Sequence, residues 1–142
     1  MPNLEGNIKE KIESLINQSL EVYSDDDISK TIQLLEEAWE ALPQPKENWQ
    51  EGFLVVKYMM HSYFNVNDFK NAEKWINHFL SFNEIRDYGE SEFLAAKIML
   101  ETGKEKEAAE FFKVADSKSD GRVWEGERNE KYGNFFKSAL KL

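Results

Sequence analysis

The chain has 142 residues, no cysteine, 41% hydrophobic and 13% aromatic side chains, and a net charge of -9. That length suits a single domain with one core, and the apolar content excludes a disordered chain. Without cysteine there are no disulfides or thiolate metal sites, which fits a reducing, cytoplasmic setting. The opening segment alternates charged and apolar residues unlike a secretory signal, and no apolar run approaches the roughly 20 residues of a membrane helix. A net-acidic chain without a basic stripe does not steer toward nucleic acid. The charge is also uneven. Residues 1–52 hold 12 acids and 4 bases, and residues 53–142 hold 15 and 14.

Taken in order, Asn7 to Tyr23 reads as a first helix, with Ile8, Ile12, Leu15, Ile16 and Leu20 at helical spacing. Ser24-Asp25-Asp26-Asp27 ends it and offers carboxylates to the start of the next helix. That run lacks the glycine and the closing glutamate of a calcium loop. A second helix spans Ile28 to Leu42 and stops before Pro43 and Pro45. A third, rich in aromatics, runs from Glu47 to Asn65. The turn Val66-Asn67-Asp68 leads to a fourth, Phe69 to Phe82. The fifth covers Glu90 to Glu101, and the sixth follows Gly103 and ends near Ser117. A polar loop and the irregular segment Arg122 to Glu130 precede a last helix, Asn129 to Lys141.

The sixth helix carries the most specific pattern. After Gly103, Ala108, Phe112 and Ala115 fall on one face, so a partner helix can approach closely at the alanines. Ala72 follows a similar turn at Asn67-Asp68, and Thr31 follows Asp27-Ile28. Thr31 to Ala72 spans 41 residues and Ala72 to Ala108 spans 36. The chain therefore resembles tetratricopeptide-repeat proteins, whose period is about 34 residues. The resemblance implies an all-α, right-handed stack of three helical hairpins (about 5–43, 47–83 and 88–118) closed by a capping segment at 121–142, all in one domain. The motifs are degenerate. Thr31 stands where alanine is usual, and Phe79 stands in the second hairpin where the third has Ala115.

In such a stack the first helix of each hairpin lines a groove. The resemblance places Ile16, Leu20 and Tyr23 there from the first hairpin, then Lys57, His61, Phe64 and Asn65, then Glu90, Phe93, Lys97 and Glu101. Lys57 and His61 are four apart on one face, and Lys97 is expected near them. The carboxylate clamp of chaperone-binding family members is not expected. Ile16 and Leu20 replace its first pair, Tyr58 replaces an asparagine, and Glu90 and Leu94 replace its last basic residues. Arg122, Trp124 and Arg128 are of the types richest in interface hot spots. Trp124 with Tyr132, Phe135 and Phe136 equally suits sealing the end of a stack.

No catalytic constellation is evident. The two histidines, His61 and His78, lie on different helices without clustered carboxylates, so no metal is expected. There is no G-x-S-x-G turn and no Gly-rich phosphate loop. No cofactor is implied, and no enzyme is expected. In size, architecture and charge the chain is similar to the short helical-repeat immunity proteins of bacterial toxin systems. That similarity implies a basic protein partner. Acidic tetratricopeptide-like secretion chaperones and adaptors, which hold an extended peptide, remain the alternative.

Overall fold

The computed structural model describes residues 4–82 and 87–141, and among these every regular element is helical. Seven α-helices form: α1 (Gly6–Glu21), α2 (Ser29–Ala41), α3 (Gln50–Asn65), α4 (Phe69–Leu80), α5 (Glu90–Glu101), α6 (Glu105–Ser119) and α7 (Glu130–Leu140). Short 3-10 turns occupy Lys46–Asn48 and Arg122–Trp124. The chain divides into two compact units, Met1–Glu84 and Ile85–Leu142. The expected hairpin end at residue 83 lies outside the described residues.

In the first unit α1 pairs with α2 and α3 with α4, and α3 packs on both helices of the first pair. Ile12, Leu35, Val55, Val56, Met59, Met60 and Phe79 are fully buried there. Thr31 links α2 to α1. It is 2% exposed, and its hydroxyl donates to the Ser19 carbonyl at 2.9 Å. A threonine thus serves at a close helix contact because its one polar atom is satisfied. Asp27 accepts the Ser29 N–H at 2.9 Å and so opens α2. The Ser29 hydroxyl, and then this N–H bond, lower the Asp27 carboxyl pKa from its ordinary value.

The third helix starts later than its sequence suggests. Trp49 is extended (φ -110°, ψ 137°), so residues 46–48 form a separate 3-10 turn and α3 begins at Gln50. Side chains hold the turn. The Trp49 indole donates to Pro43 O at 2.9 Å, and Lys46 Nζ donates to the Trp39 and Leu42 carbonyls at the end of α2. A cation there also meets the negative end of the helix dipole. Gly52 permits the close fit, since a Cβ would lie 2.5 Å from Lys46 O.

The turns before α4 and α6 share one geometry. Asn67 (φ 62°) and Gly103 (φ 84°) are both left-handed. The following N–H groups, of Asp68 and Lys104, reach back to Tyr63 O at 2.9 Å and Met99 O at 2.8 Å. Asn67 and Gly103 are 36 residues apart, the same interval as the fully buried Ala72 and Ala108. The α1–α2 connection, residues 22–28, is longer, and its positive-φ residue is absent.

In the second unit α5 and α6 form a hairpin, and α7 packs on α6. Gly89 (φ 92°) enters α5 against Ala115, where a Cβ would lie 2.7 Å from the Ala115 carbonyl oxygen. Ala108, Phe112 and Ala115 are fully buried. The sixth helix continues to Ser119 and ends in two left-handed residues, Asp120 (φ 54°) and Gly121 (φ 80°).

Candidate partner-binding site

Three surface features carry the chemistry that the sequence singled out. The first is the outer face of α1 and α2. Glu36, Glu37 and Glu40 are exposed on successive turns of α2. With Gln33, Ala41 and Lys11 of α1 they line a shallow depression of about 570 Å³. Lys11 is the single cation in that lining.

The second is a groove of about 280 Å³ between α1 and α3. Ile16 and Leu20 from α1 face Leu54 and Tyr58 from α3, with Glu13 and Glu51 at its edge. Leu20 is 48% exposed. Glu51 is buried and accepts the Leu4 N–H at 3.4 Å. Beyond this groove, at the far end of α1, Tyr23 donates to Asp25 and accepts from the Asn65 amide at 3.1 Å. Burial, then the Asp25 bond, push the Tyr23 hydroxyl pKa up, while the Asn65 bond pulls it down. Tyr23 and Asn65, expected on one surface, are therefore in contact. Phe64 packs on Phe69 at a ring distance of 5.5 Å. Lys57 and His61 are half-buried one turn apart on α3, and neither lines the α1–α3 groove.

The third is the α5 face with α7 in the second unit. Lys97 Nζ lies 2.8 Å from Glu127 Oε1 and 4.6 Å from the Phe93 ring centre. Glu101, one turn along α5, pairs with Lys131 of α7. Between them the buried Tyr132 has its hydroxyl pKa pushed well up, first by burial and then by Glu101 and Glu127. Lys97 and Glu101 are thus committed to a network inside the unit. Trp124 stands against Phe93, Phe112 and Phe136, and its indole N–H donates to Asp116 at 3.0 Å. Arg122 and Arg128 are both exposed, and Arg122 shares a depression of about 340 Å³ with Tyr88 and Lys118.

Sequence inspection overlooked Glu127, Lys131 and Tyr132 as partners of Lys97 and Glu101. A signal existed: Lys97-x3-Glu101 is the charge reverse of Glu127-x3-Lys131. Glu127 lies in the loop before α7 and Lys131 in the first turn of α7, and each meets its opposite charge on α5.

His78 packs against Trp39 and Trp75 with ring centres 4.9 and 5.1 Å away. Among the described residues no group of three or more His, Asp or Glu side chains could hold a metal ion. No described helix is long and apolar enough to cross a membrane. Comparisons with protein-family models, curated proteins and solved structures found no match.

Proposed function

We propose that this chain is a non-catalytic protein-binding module of tetratricopeptide-like build, and that it acts as an immunity protein neutralising a basic partner toxin. The observation that carries this reading is the acidic face of α1 and α2. It presents Glu36, Glu37 and Glu40 together, in the part of the chain that holds 12 acids against 4 bases. Long-range attraction of that kind accelerates encounter with a basic protein and discriminates against acidic ones. The repeat reading rests on the matched turns at Asn67 and Gly103 and on the small buried residues Thr31, Ala72 and Ala108.

The experiment is affinity capture from the source cell, followed by expression of the captured protein with and without this chain. A basic partner whose toxicity this chain suppresses supports the proposal. An acidic partner, or turnover of a small molecule by this chain alone, overturns it. The α1–α3 groove favours a second reading, an adaptor holding an extended peptide, because Leu20 keeps an apolar side chain 48% exposed beside Leu54 and Tyr58. Capture of a secretion substrate in place of a toxin would select that reading.

A further inference from the structure

The cavity between the end of α6, the Arg122–Trp124 turn and α7 belongs to neither surface used above. It measures about 550 Å³, and its apolar part is Trp124, Phe136 and Leu140. Trp124 is stacked on Phe136 at 5.1 Å and its indole N–H donates to Asp116, contacts that fix the orientation of this wall. Leu140 is 57% exposed.

One wall of the cavity is a glycine in the middle of a helix. Gly133 lies three residues inside α7, where glycine weakens a helix relative to alanine. Neither usual structural reason for a glycine applies. Its φ is not positive, and a Cβ built there meets no atom within 4 Å. Nothing inside the protein requires the bare backbone, and its lack of a side chain leaves that wall of the cavity open. The charges around the opening are also biased. Asp116, Glu127 and Glu130 line it against one cation, Lys137. Asp116 holds the Trp124 indole and Glu127 is paired with Lys97, so the three carboxylates against Lys97 and Lys137 leave one negative charge in excess at the opening.

We propose that this cavity is a docking pocket for one apolar side chain, aromatic or branched, of a protein segment whose neighbouring residues are lysine or arginine. The apolar side chain enters over Gly133 and stacks on Trp124. The flanking cations meet Glu130 and its neighbours. This deepens the proposed function, since it rests on a basic protein partner and gives that partner a second, anchoring contact.

The test needs no natural partner. A short synthetic peptide with lysines on both sides of one phenylalanine is titrated into the isotope-labelled full chain, and amide and indole resonances are followed. Two control peptides carry serine for the phenylalanine, or glutamates for the lysines. The expected result is a saturable shift of the Trp124 indole and the Gly133 amide with the first peptide alone. Gly133→Leu should weaken it about tenfold or more, as expected when a filled pocket excludes its anchor. Gly133→Ala should retain the fold and weaken binding less, and equal melting of the variants and wild type separates blockage from unfolding. Unmoved Trp124 and Gly133 resonances, equal response to the glutamate peptide, or unchanged affinity in a folded Gly133→Leu chain would overturn the pocket. Shifts confined to α1 and α2 would overturn the pocket while leaving the basic-partner reading standing.

Discussion

The ammonium of Lys97 meets the carboxylate of Glu127 at 2.8 Å, with the two side chains only 15% and 14% exposed. The pair ties α5 to the loop before α7, and Phe93 covers Lys97 from the ring face at 4.6 Å. Removing one partner leaves the other charge poorly solvated, whereas removing both does not. Glu127→Ala should therefore destabilise the chain by about 1.5–3 kcal/mol. The double change Lys97→Met with Glu127→Met should recover most of that loss. Urea unfolding of the three proteins measures it, and a Glu127→Ala variant within about 0.5 kcal/mol of wild type would place the pair among ordinary surface contacts.

The α5–α6 hairpin depends on two close approaches. Gly89→Ala adds a methyl 2.7 Å from the Ala115 carbonyl oxygen, at a φ of 92° that alanine disfavours. Ala108 is fully buried, so Ala108→Trp overfills the same hairpin. Each change should cost about 1–3 kcal/mol or more. Thermal melting checks both. A Gly89→Ala protein that melts with wild type would mean that this contact is looser than 2.7 Å implies.

The buried Tyr132 gives the alkaline limb of stability a definite sign. Its folded pKa lies above the ordinary phenol value of 10.0, through burial and through Glu101 and Glu127. Above pH 10 the unfolded chain releases that proton while the native chain keeps it, so the native state binds more protons. The contribution is intact below pH 10 and shrinks as pH rises beyond it, by up to about 1.4 kcal/mol per pH unit for one such group. Tyr132→Phe should lose this component. Denaturant unfolding at several alkaline pH values tests it, and parallel curves for the two proteins would contradict it.

Much of the fold was legible in the chain because the apolar spacing is regular. Glu90 to Glu101 matches α5 at both ends, and the other helices differ from their expected limits by up to three residues. The late start of α3 was hidden because it depends on Trp49 and Lys46 bonding to the end of α2, contacts that helical periodicity does not encode. The site was less legible for a related reason. Lys97 looked like a groove cation from α5 alone, and its commitment comes from Glu127, 30 residues later. Tyr23 and Asn65 were expected on one surface through the repeat resemblance, and their hydrogen bond spans 42 residues. Gly133 was unremarkable as a letter. Its place in the lining of the proposed pocket comes only from the fold.

Some acidic residues of the first hairpin are unsuitable for testing electrostatics. Asp25 accepts from Tyr23, and Asp27 holds the first turn of α2, so neutralising either would disturb the turn itself. Glu36, Glu37 and Glu40 are exposed on α2, so Glu36→Gln, Glu37→Gln and Glu40→Gln together remove charge from the face that would steer the partner while leaving those bonds in place. The triple variant should fold and melt close to wild type, since surface changes of this kind usually shift stability by no more than about 0.5 kcal/mol.

The most direct measurement is the association rate of the captured partner with wild-type chain and with this triple variant, at low and at high salt. Exposed charges act over about 8–10 Å at physiological ionic strength, so steering is a salt-dependent property of the on-rate. Wild type is expected to associate fast at low salt and markedly more slowly at high salt, and the variant to give a slower, flatter response with the dissociation rate little changed. An on-rate indifferent to salt, or a triple variant that associates as fast as wild type at low salt, would contradict it.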